Sequence, residues 1–134
     1  MSPLTFLVDT HVLYRWRADP KRLSRVHVRA LTAAHRRNET VGVSSISLWE
    51  LAMLGMSGRI RVGQPLEQWI EEMAGDPLFM VLPITPAIAA MSVGLLGLPR
   101  DPADRLIAAT ARCHNLTLLT ADERILEWAG VSML

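Results

Sequence analysis

Cysteine is almost missing from this chain of 134 residues. Cys113 stands alone, which excludes an internal disulfide and is consistent with a reducing compartment. With only His11, His27, His35 and His114 beside it, no zinc-ligand spacing exists. Lysine is equally scarce: Lys21 is the only one, and every other basic residue is arginine. No Gly-Lys-Ser/Thr occurs, so a P-loop nucleotide site is excluded. Long apolar runs are missing too. The longest nearly uncharged stretch, residues 87–98, is too short to span a bilayer and holds two glycines. The N-terminus lacks a basic start, and Asp9 interrupts its apolar run, so no signal peptide is expected. Linkers, repeats and low-complexity segments are also lacking. These absences predict a soluble, cytoplasmic protein.

Half of the residues are apolar, enough for a packed core, and the length suits a single domain over residues 1–134. The net charge is only +1, but the basic residues are unevenly placed. Between Arg15 and Arg37 there are eight, against the single acid Asp19.

Strands and helices are predicted in alternation. Residues 4–8 read as a buried strand, followed by helices over 11–17 and about 22–36. In the second, Leu23, His27, Ala30, Leu31 and Ala34 share one face, and Arg22, Arg25, Arg29 and Arg36 another. A strand over 40–43 precedes a helix over 46–54, capped by Ser44 or Ser45 and ended by Gly55 and Gly58. Pro65 opens a helix to Ala74. A short strand at 81–84 leads to Thr85-Pro86, a cap and first helical position, and that helix ends near Gly97. Asp101-Pro102 repeats the start signal for a helix to Cys113, with Asn115 as a left-handed terminator. A strand over 116–120, a helix over 121–129 and an edge strand over 131–134 complete the chain. Such alternation predicts an α/β protein, a three-layer α/β/α sandwich around a central parallel sheet.

Four acids sit where charge is costly. Asp9 ends the run Leu4-Thr5-Phe6-Leu7-Val8. Glu50 lies within Ser47-Leu48-Trp49-Glu50-Leu51-Ala52. Asp104 opens Leu106-Ile107-Ala108-Ala109, and Asp122 follows Leu116-Thr117-Leu118-Leu119-Thr120. In open parallel sheets, ligands bind beyond the carboxyl ends of strands, where Asp9 and Asp122 fall. Each acid has a plainer reading: Asp9, Thr120 and Asp122 also resemble helix caps, Glu50 fits a half-exposed helix position, and Asp101 is a better cap than Asp104. Two carboxylates about 4 Å apart repel by about 4 kcal/mol at an effective dielectric near ~20. A bound Mg²⁺ or Mn²⁺ resolves that conflict, because such ions take oxygen ligands and keep several waters.

Taken in order, Asp9-Thr10-His11-Val12-Leu13, Ser47-Leu48-Trp49-Glu50-Leu51-Ala52, Arg100-Asp101-Pro102-Ala103-Asp104-Arg105-Leu106-Ile107-Ala108 and Leu119-Thr120-Ala121-Asp122 resemble the PIN-domain ribonucleases, and more narrowly the VapC-type toxins of toxin–antitoxin modules. The resemblance extends over nearly the whole chain, including Gly58-Arg59-Ile60 and Leu82-Pro83-Ile84-Thr85. It implies a PIN-like fold and Mg²⁺- or Mn²⁺-dependent cleavage of RNA by a metal-activated water. It also implies a cognate VapB-type antitoxin and a homodimer within the complex. By position the acidic quartet falls on Asp9, Glu50, Asp104 and Asp122, as catalytic and metal-binding residues. Thr10 and Thr120 match polar positions near the metal and, with Arg105, are expected to bind substrate. Leu54 stands where many relatives carry lysine, and Pro99 where many carry histidine.

A phosphoacceptor or haloacid-type phosphatase also places an aspartate after its first strand, but it needs a late lysine, which this chain lacks. The remaining rival is a non-catalytic PIN-like module that binds RNA or protein. The arginine stripe suits an RNA backbone or simply solvent. Trp16, Trp49, Trp69 and Trp128 are expected in the core. Leu51, Met53, Leu54 and Met56 exceed what one packed helix face needs and suit either core or a partner surface.

Overall fold

The computed structural model describes residues 4–95, 97–126 and 132–134. Strand β1 (Phe6–Val8) passes through Asp9 into helix α1 (Thr10–Ala18). A 3-10 turn at Pro20–Arg22 precedes α2 (Arg25–Arg36), then β2 (Val41–Ser44), α3 (Ser45–Met56) and α4 (Leu66–Ala74). Strand β3 (Phe79–Leu82), α5 (Pro86–Gly94), α6 (Pro102–Cys113), β4 (Thr117–Leu119) and α7 (Glu123–Leu126) follow.

The strands lie in the order β3-β2-β1-β4, and every neighbouring pair is parallel. Leu7 sits opposite Gly42 and Leu118, and Val8 opposite Val43 and Leu119. Successive side chains on a strand point to opposite faces, so this register sorts the core into two layers. Val8, Val43 and Leu119 pack with Val12, Leu31 and Met73 from α1, α2 and α4. Leu7, Leu118 and Leu82 pack with Ile88 and Ile107 from α5 and α6. The result is the expected three-layer sandwich. At Gly42 a Cβ would meet Leu82 Cδ1 at 3.0 Å and Leu7 Cδ1 at 3.2 Å, so the second layer closes directly over the strand backbone.

Local chemistry sets the element ends. Ser44, Thr85 and Asp101 cap α3, α5 and α6 as expected, each side chain accepting an amide hydrogen of the first turn. Asn115 takes the left-handed conformation, φ 53°, that ends α6. Several boundaries differ from expectation, among them the last helix, which starts at Glu123 rather than residue 121. The helix expected from residue 22 starts at Arg25, because Ser24 accepts from the His27 amide at 3.2 Å and caps it there. Strand β3 sits two residues early: Phe79 pairs with Val41, and Pro83 has no amide hydrogen with which to extend the ladder. Helix α3 runs through Gly55, where Leu66 Cδ1 would lie 2.7 Å from a Cβ, so the missing side chain admits Leu66. Helix α5 ends at Gly94, short of the expected Gly97.

Met133 bridges Leu118 in parallel, as the expected edge strand requires. The remainder of the expected last helix, residues 127–129, together with Trp128 and residue 131, lies outside the described residues. Of the other tryptophans expected in the core, Trp69 is buried and Trp16 half-buried, but Trp49 is 57% exposed. Helix α3 is apolar on every side, so periodicity did not distinguish its buried face (Ser47, Glu50, Leu51, Leu54) from its exposed stripe (Trp49, Met53, Met56). No described helix is long and apolar enough to cross a membrane.

Candidate active site

Three strands deliver their carboxyl ends to one edge of the sheet. β1 ends in Asp9, β2 leads through Ser44 into the turns of α3 that carry Ser47 and Glu50, and β4 leads to Thr120 and Asp122. The first turn of α6 adds Asp101 and Asp104. Asp9, Glu50, Asp104 and Asp122 all line one pocket of about 280 Å³, which also holds Asp101. The expected convergence of the four acids is therefore present. Their plainer roles are present as well. Asp9 caps α1, accepting from the Val12 amide at 2.8 Å. Asp122 accepts from the Arg124 amide at 3.0 Å. Capping fixes each carboxylate at its place rather than competing with the pocket for it.

Asp9 is the most enclosed of the four. One oxygen takes the Val12 amide, and the other accepts the Thr120 hydroxyl. Burial raises its pKa, and these two hydrogen bonds pull against that rise. Asp104 makes the gathered charge measurable. Its pKa is raised to about 7, first by burial and then by the negative charges of Asp101, Asp122 and Glu50, with Arg124 opposing. Asp122 moves the other way, because the Arg124 side chain hydrogen-bonds its carboxylate and holds its pKa low. Glu50 is buried on α3 and faces the same pocket.

The three residues expected to bind substrate have other partners. Arg105 points away from the acids, and its guanidinium donates to the carbonyls of Ser92 (3.2 Å), Leu95 (2.8 Å) and Leu98 (3.4 Å). It satisfies carbonyls left open where α5 ends. Thr10 lines the pocket, but its hydroxyl is buried and donates to Ser47 Oγ at 3.0 Å. Thr120 spends its hydroxyl on Asp9 and on the Asp122 amide. Thr120 therefore positions two of the acids, whereas Thr10 ties the start of α1 to α3. Three pocket residues went unassigned in the sequence: His11, Arg15 and Arg124. Arg124 lies 3.0 Å from Asp122 and 3.8 Å from Asp104. Its spacing, two residues after Asp122, was the available signal. His11 and Arg15 sit two and six residues after Asp9, on successive turns of α1, His11 exposed and Arg15 half-buried. The stripe residues Arg25, Arg29 and Arg36 instead rim a separate groove on α2, floored by Leu23, Val28 and Ala33.

Carboxylate oxygens predominate where the acids meet, with His11 also in the lining, and added positive charge would favour the ionised form of Asp104. Among the described residues, no three carboxylate, imidazole or thiol groups form a ready-made metal cage. Carboxylate oxygens suit a hard cation better than zinc, which favours nitrogen and sulfur ligands.

The model of one family, described as PIN domain, matches residues 6–131. Ribonuclease VapC22 of Mycobacterium tuberculosis is 40% identical over 122 residues, which are 90% of this chain and 89% of that protein. Among solved structures, VapBC2 from Rickettsia felis, bound to a DNA fragment from its promoter, shares the fold with TM-score 0.69 at 16% identity, covering 98% of this chain and 97% of that one. FitAcB from Neisseria gonorrhoeae matches with TM-score 0.67 at 26% identity, over 97% of this chain and 96% of that one.

Proposed function

The chain belongs to the PIN-domain family, and we propose that it is a Mg²⁺- or Mn²⁺-dependent endoribonuclease, the toxin of a toxin–antitoxin pair. The observation that carries this reading is the meeting of Asp9, Glu50, Asp104 and Asp122, from segments more than a hundred residues apart, in one pocket. The likeness to a ribonuclease over 90% of the chain supports the substrate class.

Asp9 and Asp104 are the residues that would hold the cation, with Glu50 and Asp122 beside it or linked through water. The bound cation supplies Lewis-acid charge for the phosphate oxygens and makes water more acidic. The chain's own part is placement. The Val12 amide and the Thr120 hydroxyl fix both oxygens of Asp9. The Thr10–Ser47 hydrogen bond ties the start of α1 to α3, one turn before Glu50. Arg15, His11 and Arg124 provide positive or proton-donating groups in the pocket wall for an incoming phosphate.

The partner is a cognate VapB-type antitoxin, which a self-toxic nuclease requires. A second copy of the chain would cover the exposed stripe Trp49, Met53 and Met56, which a lone molecule would leave in water.

RNA cleavage measured with Mg²⁺, with Mn²⁺ and with EDTA, for the wild type and Asp9→Asn, tests the reading. Cleavage is expected only in the wild type with a cation present. Undiminished cleavage by the variant or in EDTA removes the proposal.

A further inference from the structure

Arg124 carries a side chain that is 66% exposed, yet it is not free in solvent. Its Nη2 and Nε lie 3.0 and 3.2 Å from the two Asp122 oxygens, and Nη2 is 3.8 Å from Asp104 Oδ2. The guanidinium therefore joins an acid that follows β4 to one on α6, across the pocket it lines. Its backbone amide separately donates to Asp122 Oδ1 at 3.0 Å, so the side chain can leave without disturbing that bond.

A guanidinium and a divalent cation compete for the same carboxylate oxygens. The cation needs oxygens at about 2.0–2.1 Å, whereas Arg124 holds Asp104 at a distance longer than a charge-assisted hydrogen bond. The 3.8 Å contact to Asp104 is an exposed ion pair of the weak, easily exchanged kind, and the two-bond contact to Asp122 is the firmer of the two. Once displaced, the planar fork stays tethered beside the pocket, and such forks match phosphate oxygens in pairs.

We propose that Arg124 is a built-in counter-ion, which neutralises Asp104 and Asp122 until a divalent cation displaces it and then binds the RNA phosphate. This rests on the acidic pocket being the cation site. Its test combines Mn²⁺ titration, followed by melting temperature without RNA, with steady-state cleavage of a single-stranded RNA oligonucleotide at saturating Mn²⁺.

Arg124→Gln should need about three- to tenfold less Mn²⁺ for half the melting rise, because a competitor is gone. Its KM should rise about fivefold or more, with kcat within about threefold. Arg124→Lys should restore the Mn²⁺ midpoint towards the wild-type value while leaving KM raised, since a point charge lacks the fork. The same Mn²⁺ midpoint in wild type and Arg124→Gln overturns the inference, and so does a lowered midpoint with KM unchanged. A wild type that shows no Mn²⁺-dependent rise at all overturns the cation site itself, and this inference with it.

Discussion

The hydroxyl of Thr120 donates to Asp9 across 111 residues of chain and accepts the amide hydrogen of Asp122 at 3.1 Å. One buried side chain thus sets the position of two pocket acids, at the ends of adjacent strands β1 and β4. Thr120→Val keeps the shape and deletes both bonds. Leaving a buried Asp9 oxygen without its donor should cost about 1–3 kcal/mol and lower the melting temperature by about 3–10 °C. Thermal denaturation followed by circular dichroism checks this, and an unchanged melting temperature would show that the bond adds nothing.

Asp9→Asn separates stability from function. Asparagine caps a helix as well as aspartate does, so α1 keeps its start. The enclosed charge, whose pKa burial raises, is removed. The asparagine amide nitrogen replaces the oxygen that accepts from Thr120, so the variant should stay folded at pH 7 without cations and melt no more than about 10 °C below the wild type, yet lose the Mn²⁺-induced rise in melting temperature and cut RNA cleavage by about a hundredfold or more. A variant that unfolds would show that Asp9 is held for architecture alone.

Proton linkage at Asp104 has a definite sign. Its folded pKa of about 7 lies above its ordinary value of 3.8, so the folded state binds this proton more tightly than the unfolded chain does. The stabilisation is complete below the unfolded pKa and is lost as pH rises through about 7. Asp9, also raised, acts in the same direction. Without divalent ions, the melting temperature should fall between pH 5 and pH 8 at fixed ionic strength, and Asp104→Asn should reduce that slope. The rise produced by Mn²⁺ should grow over the same interval, because the ion binds ionised carboxylates. A Mn²⁺ effect independent of pH would contradict the assignment.

Arg105 is predicted to matter for folding and not for substrate. Arg105→Ala leaves open the carbonyls of Ser92, Leu95 and Leu98. It should destabilise by about 1–3 kcal/mol, and lysine should rescue it poorly because it lacks the fork that spans several carbonyls. KM for RNA, measured below the melting range, should stay within about twofold of the wild type. A rise of about tenfold with unchanged stability would return Arg105 to the substrate.

The acids were legible because the cost of burying charge is visible in sequence: each interrupts or borders an apolar run, and the strand–helix alternation fixes which ends they share. The caps were legible for the same local reason, as Thr85-Pro86 and Asp101-Pro102 demonstrate. The direction of a long side chain was not. Arg105 and Arg124 each sit within two residues of a pocket acid, and only the tertiary packing sends one to backbone carbonyls and the other to carboxylates. Trp49 was unreadable for a different reason: on a helix that is apolar all round, composition does not identify the outer face. Ser24 was a cap signal that the run of basic residues obscured.

Anomalous diffraction from crystals soaked in Mn²⁺ would test the acidic pocket most directly. A single or paired peak is expected between Asp9 and Asp104, with Glu50 and Asp122 alongside and the Arg124 guanidinium turned away. Mn²⁺ bound only elsewhere, or a pocket still bridged by Arg124 at saturating Mn²⁺ in a protein that cleaves RNA, would contradict it.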